Sequence, residues 1–332
     1  MPTTWPPRVS RCSRICGGSS PVSEYRSPLL ALPGAVEGDA PDTGVAAHYG
    51  SIVAEQRRLI AGEAFVDLSH RDVFTVTGPD RLSWLHALTT QHLESLAPNV
   101  PTEVLLLTPQ GRIEHAFSGI DDGENVFRAH TEPGAGAAVV EFLDRMRFMS
   151  RVEVALDPST AVIGTATGWQ FVDRAELAGL PDRLGAPVGT WAHEALRIEQ
   201  GMPRFGLDTD DRTIPNEVGL LNVAVHMDKG CYRGQETVAR VYNLGRPPRR
   251  LVRLLLDGSV EHLPPHGSEV MLDDKVVGTV GSSARHHELG PIALAIVKRN
   301  VDPSATVIAD GVAATQEVIV DPDAGLHVRA AR

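Results

Sequence analysis

Regular spacing of apolar residues begins only at Ser51. From there Ile52, Val53, Leu59 and Ile60 fit one face of a helix better than the alternation of a strand, with Ser51 as the cap and Gly62 as the stop. Residues 65–68 and 73–77 read as short strands. Gly78, Pro79 and Asp80 then turn the chain into a helix bearing the stripe Leu82, Leu85, Leu88, Leu93 and Leu96, which is core packing. Three β segments follow at 103–108, 112–120 and 126–130, separated by turns at 109–111 and 121–123. A helix is expected over 133–149, with Val139, Phe142, Leu143 and Met146 on one side, and then strands over 152–156 and 161–165. This order suits an α+β fold with antiparallel hairpins better than a doubly wound parallel sheet.

From Arg249 the pattern changes to short strands with almost no helix, at 251–256, 269–272, 276–280, 292–298, 306–308 and 317–320. Gly and Asp turns such as Asp310-Gly311 separate them, which predicts a small all-β barrel. Pro247-Pro248 marks the boundary, because neither residue donates a backbone hydrogen bond and the residue before a proline is held extended. The first 47 residues are rich in Pro, Ser, Gly and Arg and sustain no periodicity, so they are expected to be a disordered extension. The four prolines before residue 24 oppose the amphipathic helix of a transit peptide, and no apolar stretch suits a signal peptide. The expected organisation is therefore 1–47 extension, 48–246 two α+β subdomains and 247–332 barrel.

Composition narrows the function classes. The 332 residues are 42% hydrophobic and 22% charged, with no apolar run near the roughly 20 residues that a membrane helix needs. A formal charge of −11 argues against sequence-independent nucleic-acid binding, which uses a cation surplus to displace phosphate counterions. Three cysteines, Cys12, Cys16 and Cys231, are too few for a disulfide framework, so a reducing compartment, the cytoplasm, is expected. Gly134 and Gly136 lack the third glycine of a dinucleotide fingerprint, and no phosphate-cradling GxxxxGK stretch occurs. His193-Glu194 and His286-His287-Glu288 have no matching metal ligands at a recognisable spacing.

Two segments stand apart. In DKGCYRGQETVAR, residues 228–240, Cys231 lies between Lys229 and Arg233, and Gly230 and Gly234 let the backbone bend on either side. A helix is expected over 235–243 with Gly245 as its stop, so the sulfur would sit just before a helix N-terminus. Cations and the helix dipole both favour a thiolate, which makes a reactive or metal-competent sulfur one reading. A buried, inert cysteine in a tight turn is the other. In LRIEQGMPRFGLD, residues 196–208, a helix bearing Arg197 and Glu199 meets Gly201 and is stopped by Pro203. A carboxylate at such a break can face a cleft and accept two parallel hydrogen bonds from an amidine-like edge. Residues two apart on a helix do not face each other, so Arg197 and Glu199 are expected to have different partners.

KGCYRGQE at 229–236 closely resembles the signature of the YgfZ-type folate-binding proteins, relatives of the glycine cleavage T-protein (aminomethyltransferase). VDLSHRDVFTVTGPDRLSWLHALTTQ at 66–91, IPNEVGL at 214–220, VGTVGSS at 277–283 and ELGPIALAIVKR at 288–299 are similar to further stretches of that family. The resemblance implies three subdomains around a central cavity for tetrahydrofolate or a derivative, with Glu199 on the pterin. It implies Arg197, Lys229, Tyr232, Gln235 and Glu236 as further cofactor-binding residues and Cys231 as the signature cysteine. It further implies a role in iron-sulfur cluster assembly or repair rather than conventional turnover. Cys231 would serve as a transient cluster ligand or redox thiol, with no stable metal site. The partners would be client proteins, tRNA-modifying enzymes among them, or cluster assembly factors, with no direct nucleic acid. The alternative is a folate-dependent aminomethyl- or methyltransferase. The T-protein's catalytic aspartates line up with QGRIEH at 110–115, where Glu114 would be the acid-base residue and His115 stands in the second place.

Overall fold

Three antiparallel-rich sheets meet around one cavity in the computed structural model, which describes residues 25–323 and Gly325. Among the described residues six α-helices accompany them: α1 (Ile52–Ile60), α2 (Arg81–Leu88), α3 (Gly136–Arg145), α4 (Leu180–Leu184), α5 (Thr190–Glu199) and α6 (Gln235–Leu244). Among the described residues no helix is long and apolar enough to cross a membrane.

The first sheet runs Gly168–Asp173, Thr160–Thr165, Phe65–Asp67, Pro187–Val188 in space, with only the last pair parallel. Side chains alternate across a strand, so Phe65, Ala161 and Ile163 pack with Leu29, Leu177 and Leu180, while Val66 and Val162 pack with Leu59 and Ala192. Ser51 caps α1, its hydroxyl accepting from the Ala54 N–H at 3.3 Å.

The second sheet is fully antiparallel, in the order Thr102–Leu107, Ile113–Asp121, Val126–Thr131, Asp72–Thr77, Glu153–Leu156. One face buries Phe74, Val76, Phe117 and Phe127 against Leu85 of α2 and Val139 and Leu143 of α3. The opposite face carries Leu105, Leu107 and Ile113. They share a core with Ala195 and Ile198 of α5 and with Leu251, Ile292 and Leu294 of the third unit. That shared core joins the three units and sets α5 between them.

The third unit is a closed six-stranded barrel, Arg249–Leu256, Gly290–Lys298, Lys275–His286, Glu269–Leu272, Val307–Ala309, Val312–Val318, with the last strand pairing with the first. Small and β-branched residues fill its interior, among them Val252, Val280, Ala293, Ala295 and Val307. Asp310 and Gly311 both have positive φ (46° and 80°), as a tight two-residue hairpin requires.

Residues 25–47 are folded, contrary to the disordered extension that their composition indicated. A 3-10 turn at Pro28–Ala31 and a hairpin of Val36–Glu37 with Ala46–His48 are folded, with Leu29, Val45, Ala46 and Ala47 buried. Polar anchors hold this segment: Ser27 donates to Asp67, Tyr25 donates to Ser69 at 2.7 Å, and Asp42 pairs with His70 at 2.8 Å. Strands of two and three residues leave no periodicity to read. Residues 1–24, with Cys12 and Cys16, lie outside the described residues. The helix expected over 133–149 is confined to Gly136–Arg145, where the Gly136 N–H donates to Asp72 at 2.8 Å and a Cβ would collide with that side chain.

Candidate functional site

A cavity of about 820 Å³ lies where the three units meet. The second sheet contributes Glu103, Phe117, Ser118 and His130, the first unit Trp169 together with His193 and Glu199 of α5, and the barrel His286 and Ile319. Its volume falls within the roughly 300–1,000 Å³ of ordinary small-molecule sites.

Arg197 and Arg204 line the cavity and carry an ion-pair network in its wall. The Arg197 guanidinium donates to Glu194 at 3.0 and 2.5 Å, to Asp208 at 2.7 Å, to the Met202 carbonyl at 2.8 Å and to the Ser282 hydroxyl at 2.8 Å. Arg204 donates to Glu132 at 2.7 Å, to Asp42 at 2.7 and 3.0 Å, and to Glu194 at 3.3 Å. Burial alone would raise the Glu194 pKa, but the Arg197 and Arg204 charges outweigh it and hold it at about 2. Burial likewise opposes the Asp42 charge, and hydrogen bonds from His70 and Arg204 pull its pKa well below the usual range.

Arg197 lines the cavity, as a cofactor-binding residue would, but its donors are already taken. All five of its N–H groups are committed, so it positions α5 against the 202–208 turn and the barrel and has no donor left for a ligand. Glu199, two residues on, points elsewhere. It lines the cavity, and among the described residues nothing donates to its carboxylate; Arg253 of the barrel instead holds its backbone carbonyl.

The segment 229–236 occupies a different place. None of Lys229, Cys231, Tyr232, Gln235 or Glu236 lines the cavity. Lys229 is 7% exposed and donates to the carbonyls of His86, Thr89 and Gln91, the second at 2.5 Å, so it closes the C-terminal end of α2. Burial pushes its pKa down to about 8, which still leaves a cation at neutral pH. The Lys229 ammonium also lies 5.4 Å from the centre of the Tyr232 ring, and burial raises the Tyr232 hydroxyl to about 12. Gln235 opens α6 and Glu236 is exposed in its first turn. A direct folate contact is therefore not what these four side chains are placed for. Cys231 is exposed, which removes the buried, inert alternative.

The structure does join the cysteine loop to the QGRIEH stretch at 110–115. Gly234 has φ 84°, and a Cβ there would lie 2.5 Å from the Thr108 carbonyl oxygen and 2.8 Å from the Gly111 Cα. The cysteine loop therefore rests backbone to backbone on the turn of 108–113. Arg233 donates to Glu114 at 3.0 Å and lies 5.5 Å from the centre of the Phe142 ring, which also contacts His115. Glu114 is thus engaged outside the cavity wall, although its neighbours Ile113 and Ala116 line it.

Sequence reasoning missed several cavity residues. Glu103, His130 and Trp169 sit in strands with no local motif, Arg71 is one of many residues in the 66–91 stretch, and only long-range pairing collects them. His193, which has no metal partner at a recognisable spacing, lines the cavity, and burial followed by the Arg71 charge lowers its pKa to about 4.

Residues 249–330 match the family described as the glycine cleavage T-protein C-terminal barrel domain. An aminomethyltransferase of Nostoc sp. is 28% identical over 307 residues, covering 75% of this chain and 81% of the relative. A putative chloroplastic transferase of Arabidopsis thaliana is 26% identical over 275 residues, covering 67% of this chain and 62% of the relative. Among solved structures, the glycine cleavage system aminomethyltransferase T of Bartonella henselae superposes with a TM-score of 0.75 at 16% identity, over 90% of this chain and 97% of that one. The chain has the T-protein fold. The barrel matches its C-terminal domain, and the cavity lies where the three units meet, with Glu199 on its wall. The cysteine loop and the 108–114 turn pack on each other, with Cys231 and Glu114 outside the cavity lining.

Proposed function

We propose that this protein binds tetrahydrofolate or a derivative in the central cavity and supports iron-sulfur cluster assembly or repair in client enzymes, tRNA-modifying enzymes among them. The carrying observation is a separation. Glu199, whose carboxylate has no donor among the described residues, lines the cavity, whereas the exposed Cys231 and the acid-base candidate Glu114 lie outside its lining. The residues fit a folate: Glu199 is free to accept from the pterin's amide and amino edge, and Leu105, Trp169 and Phe205 offer apolar walls. When bound, folate would supply a one-carbon-carrying centre; the chain's own contribution is to orient the pterin and exclude water.

An exposed thiol suits exchange with another protein. A single thiolate cannot hold a cluster that normally takes four ligands, so a client or assembly factor would supply the others, in the reducing cytoplasm. Cys231→Ala in cells lacking the natural protein is expected to lower the activity of dependent iron-sulfur enzymes. Full activity of those enzymes with the variant would refute the role.

The second reading, a folate-dependent aminomethyltransferase, is favoured by the names of relatives that align over most of the chain. It requires turnover by the purified protein with tetrahydrofolate and an aminomethyl donor, lost in Glu114→Gln. Absence of turnover with wild-type protein would decide for the maturation role.

A further inference from the structure

His130 is 3% exposed, lines the cavity, and has neither ring nitrogen hydrogen-bonded to any described residue. Arg71 lines the same cavity with a side chain only 12% exposed. Its guanidinium makes no hydrogen bond to the described residues, Nε is wholly buried, and Glu132 is no nearer than 3.7 Å. Buried donors left unmade are costly, so a folded chain retains them where something else completes them. The contrast with Arg197 and Arg204 is direct, because those two guanidiniums in the same region are engaged on every side.

The surroundings say what kind of atom is missing. Arg71 offers donors only, and burial and the Arg71 charge keep His130 neutral, so its ring adds one donor and one acceptor. Trp169 stands edge-on to His130 at 4.6 Å and closes that side with apolar surface. His193 also faces Arg71 and lies six residues before Glu199 on α5, about 9 Å along the helix axis. The Arg71 and His130 wall is thus a second polar end of the cavity, removed from Glu199.

We propose that Arg71 and His130 form a subsite that receives an acceptor oxygen of the ligand, a carboxylate or a carbonyl, at the end of the cavity away from Glu199. This rests on the cavity being a folate site. The two sources of such an oxygen are the tail carboxylates and the pterin carbonyl, and fragments separate them.

Full-length wild type, Arg71→Met and His130→Phe are titrated with tetrahydrofolate, 4-aminobenzoylglutamate and 6-methyltetrahydropterin, followed by tryptophan fluorescence with Trp169→Phe as the control. Melting curves of the unliganded proteins are recorded alongside. The expected result is a loss of tenfold or more in tetrahydrofolate affinity in each variant, with unliganded melting temperatures equal to or above wild type, because an unmet polar group has been removed. Loss confined to the glutamate fragment assigns the oxygen to the tail, and loss confined to the pterin fragment assigns it to the ring. If wild type ignores tetrahydrofolate but binds a fragment in a way that Arg71→Met abolishes, the folate reading falls while the subsite stands. Unchanged affinities in both variants, no wild-type response to any probe, or a lowered melting temperature with intact binding would each overturn the proposal.

Discussion

Arg197→Met tests whether the network in the cavity wall is structural. The guanidinium is 6% exposed and spends its five N–H groups on Glu194, Asp208, Ser282 and the Met202 carbonyl. Methionine fills similar space and supplies no charge, leaving Asp208 buried without its ion partner and Glu194 with only Arg204 at 3.3 Å. Breaking one side of a buried pair costs about 3–5 kcal/mol. At the few degrees per kcal/mol typical of chains this large, the melting temperature should fall by roughly 6–15 °C.

The pH dependence sharpens the test. The Glu194 pKa is held at about 2, below its unfolded value, so its share of stability is present above about pH 4.5 and is lost as the pH falls toward 2. Without Arg197 burial pushes that pKa upward, so the variant loses less on acidification. The gap between the two melting curves, followed by circular dichroism from pH 7 to pH 3, should narrow below pH 4.5. Equal melting at pH 7, or a gap that stays constant on acidification, would refute the reasoning.

Other perturbations follow from the same contacts. Asp42→Ala strips both short bonds from Arg204 and the partner of His70, and should lower the melting temperature by several degrees; an unchanged value would mean that residues 25–47 are dispensable to the network. Lys229→Met removes three carbonyl contacts at the end of α2, and proteolysis around residues 225–234 should accelerate; equal cleavage rates would contradict the anchoring role. Glu199→Gln should leave melting unchanged, since nothing described donates to that carboxylate, while weakening tetrahydrofolate about tenfold through loss of charge-assisted bonds; intact affinity would remove Glu199 from the pterin.

How much of this was legible in the chain depends on the range of the signal. The helix at Ile52–Ile60 with its Ser51 cap, the hairpins of 103–130 and the barrel after Pro248 rest on neighbours within a few residues, and local pattern finds them. The strand at Gly168–Asp173 escaped because it is half-exposed and has no turn signal of its own. Residues 25–47 escaped because Asp42 and Ser27 act through partners far away in sequence, Arg204 and Asp67. At the site, Glu199 and Cys231 stood out from their glycine breaks, yet their separation did not. Nor did the commitment of Arg197 and Lys229 to structural partners, since spacing says nothing of which atoms are already bonded. His130 lies in no motif and Arg71, although inside the 66–91 stretch, is not marked out by it; only their unmet donors in the folded chain reveal them.

The central claim is that the cavity takes folate with its pterin on Glu199 and leaves Cys231 free outside. A crystal structure of the full chain with tetrahydrofolate addresses it most directly. The account predicts a pterin whose amide and amino edge donates to the Glu199 carboxylate, with the Cys231 sulfur still solvent-exposed. A folate bound against the 229–236 loop, or a cavity empty at saturating folate, would contradict it.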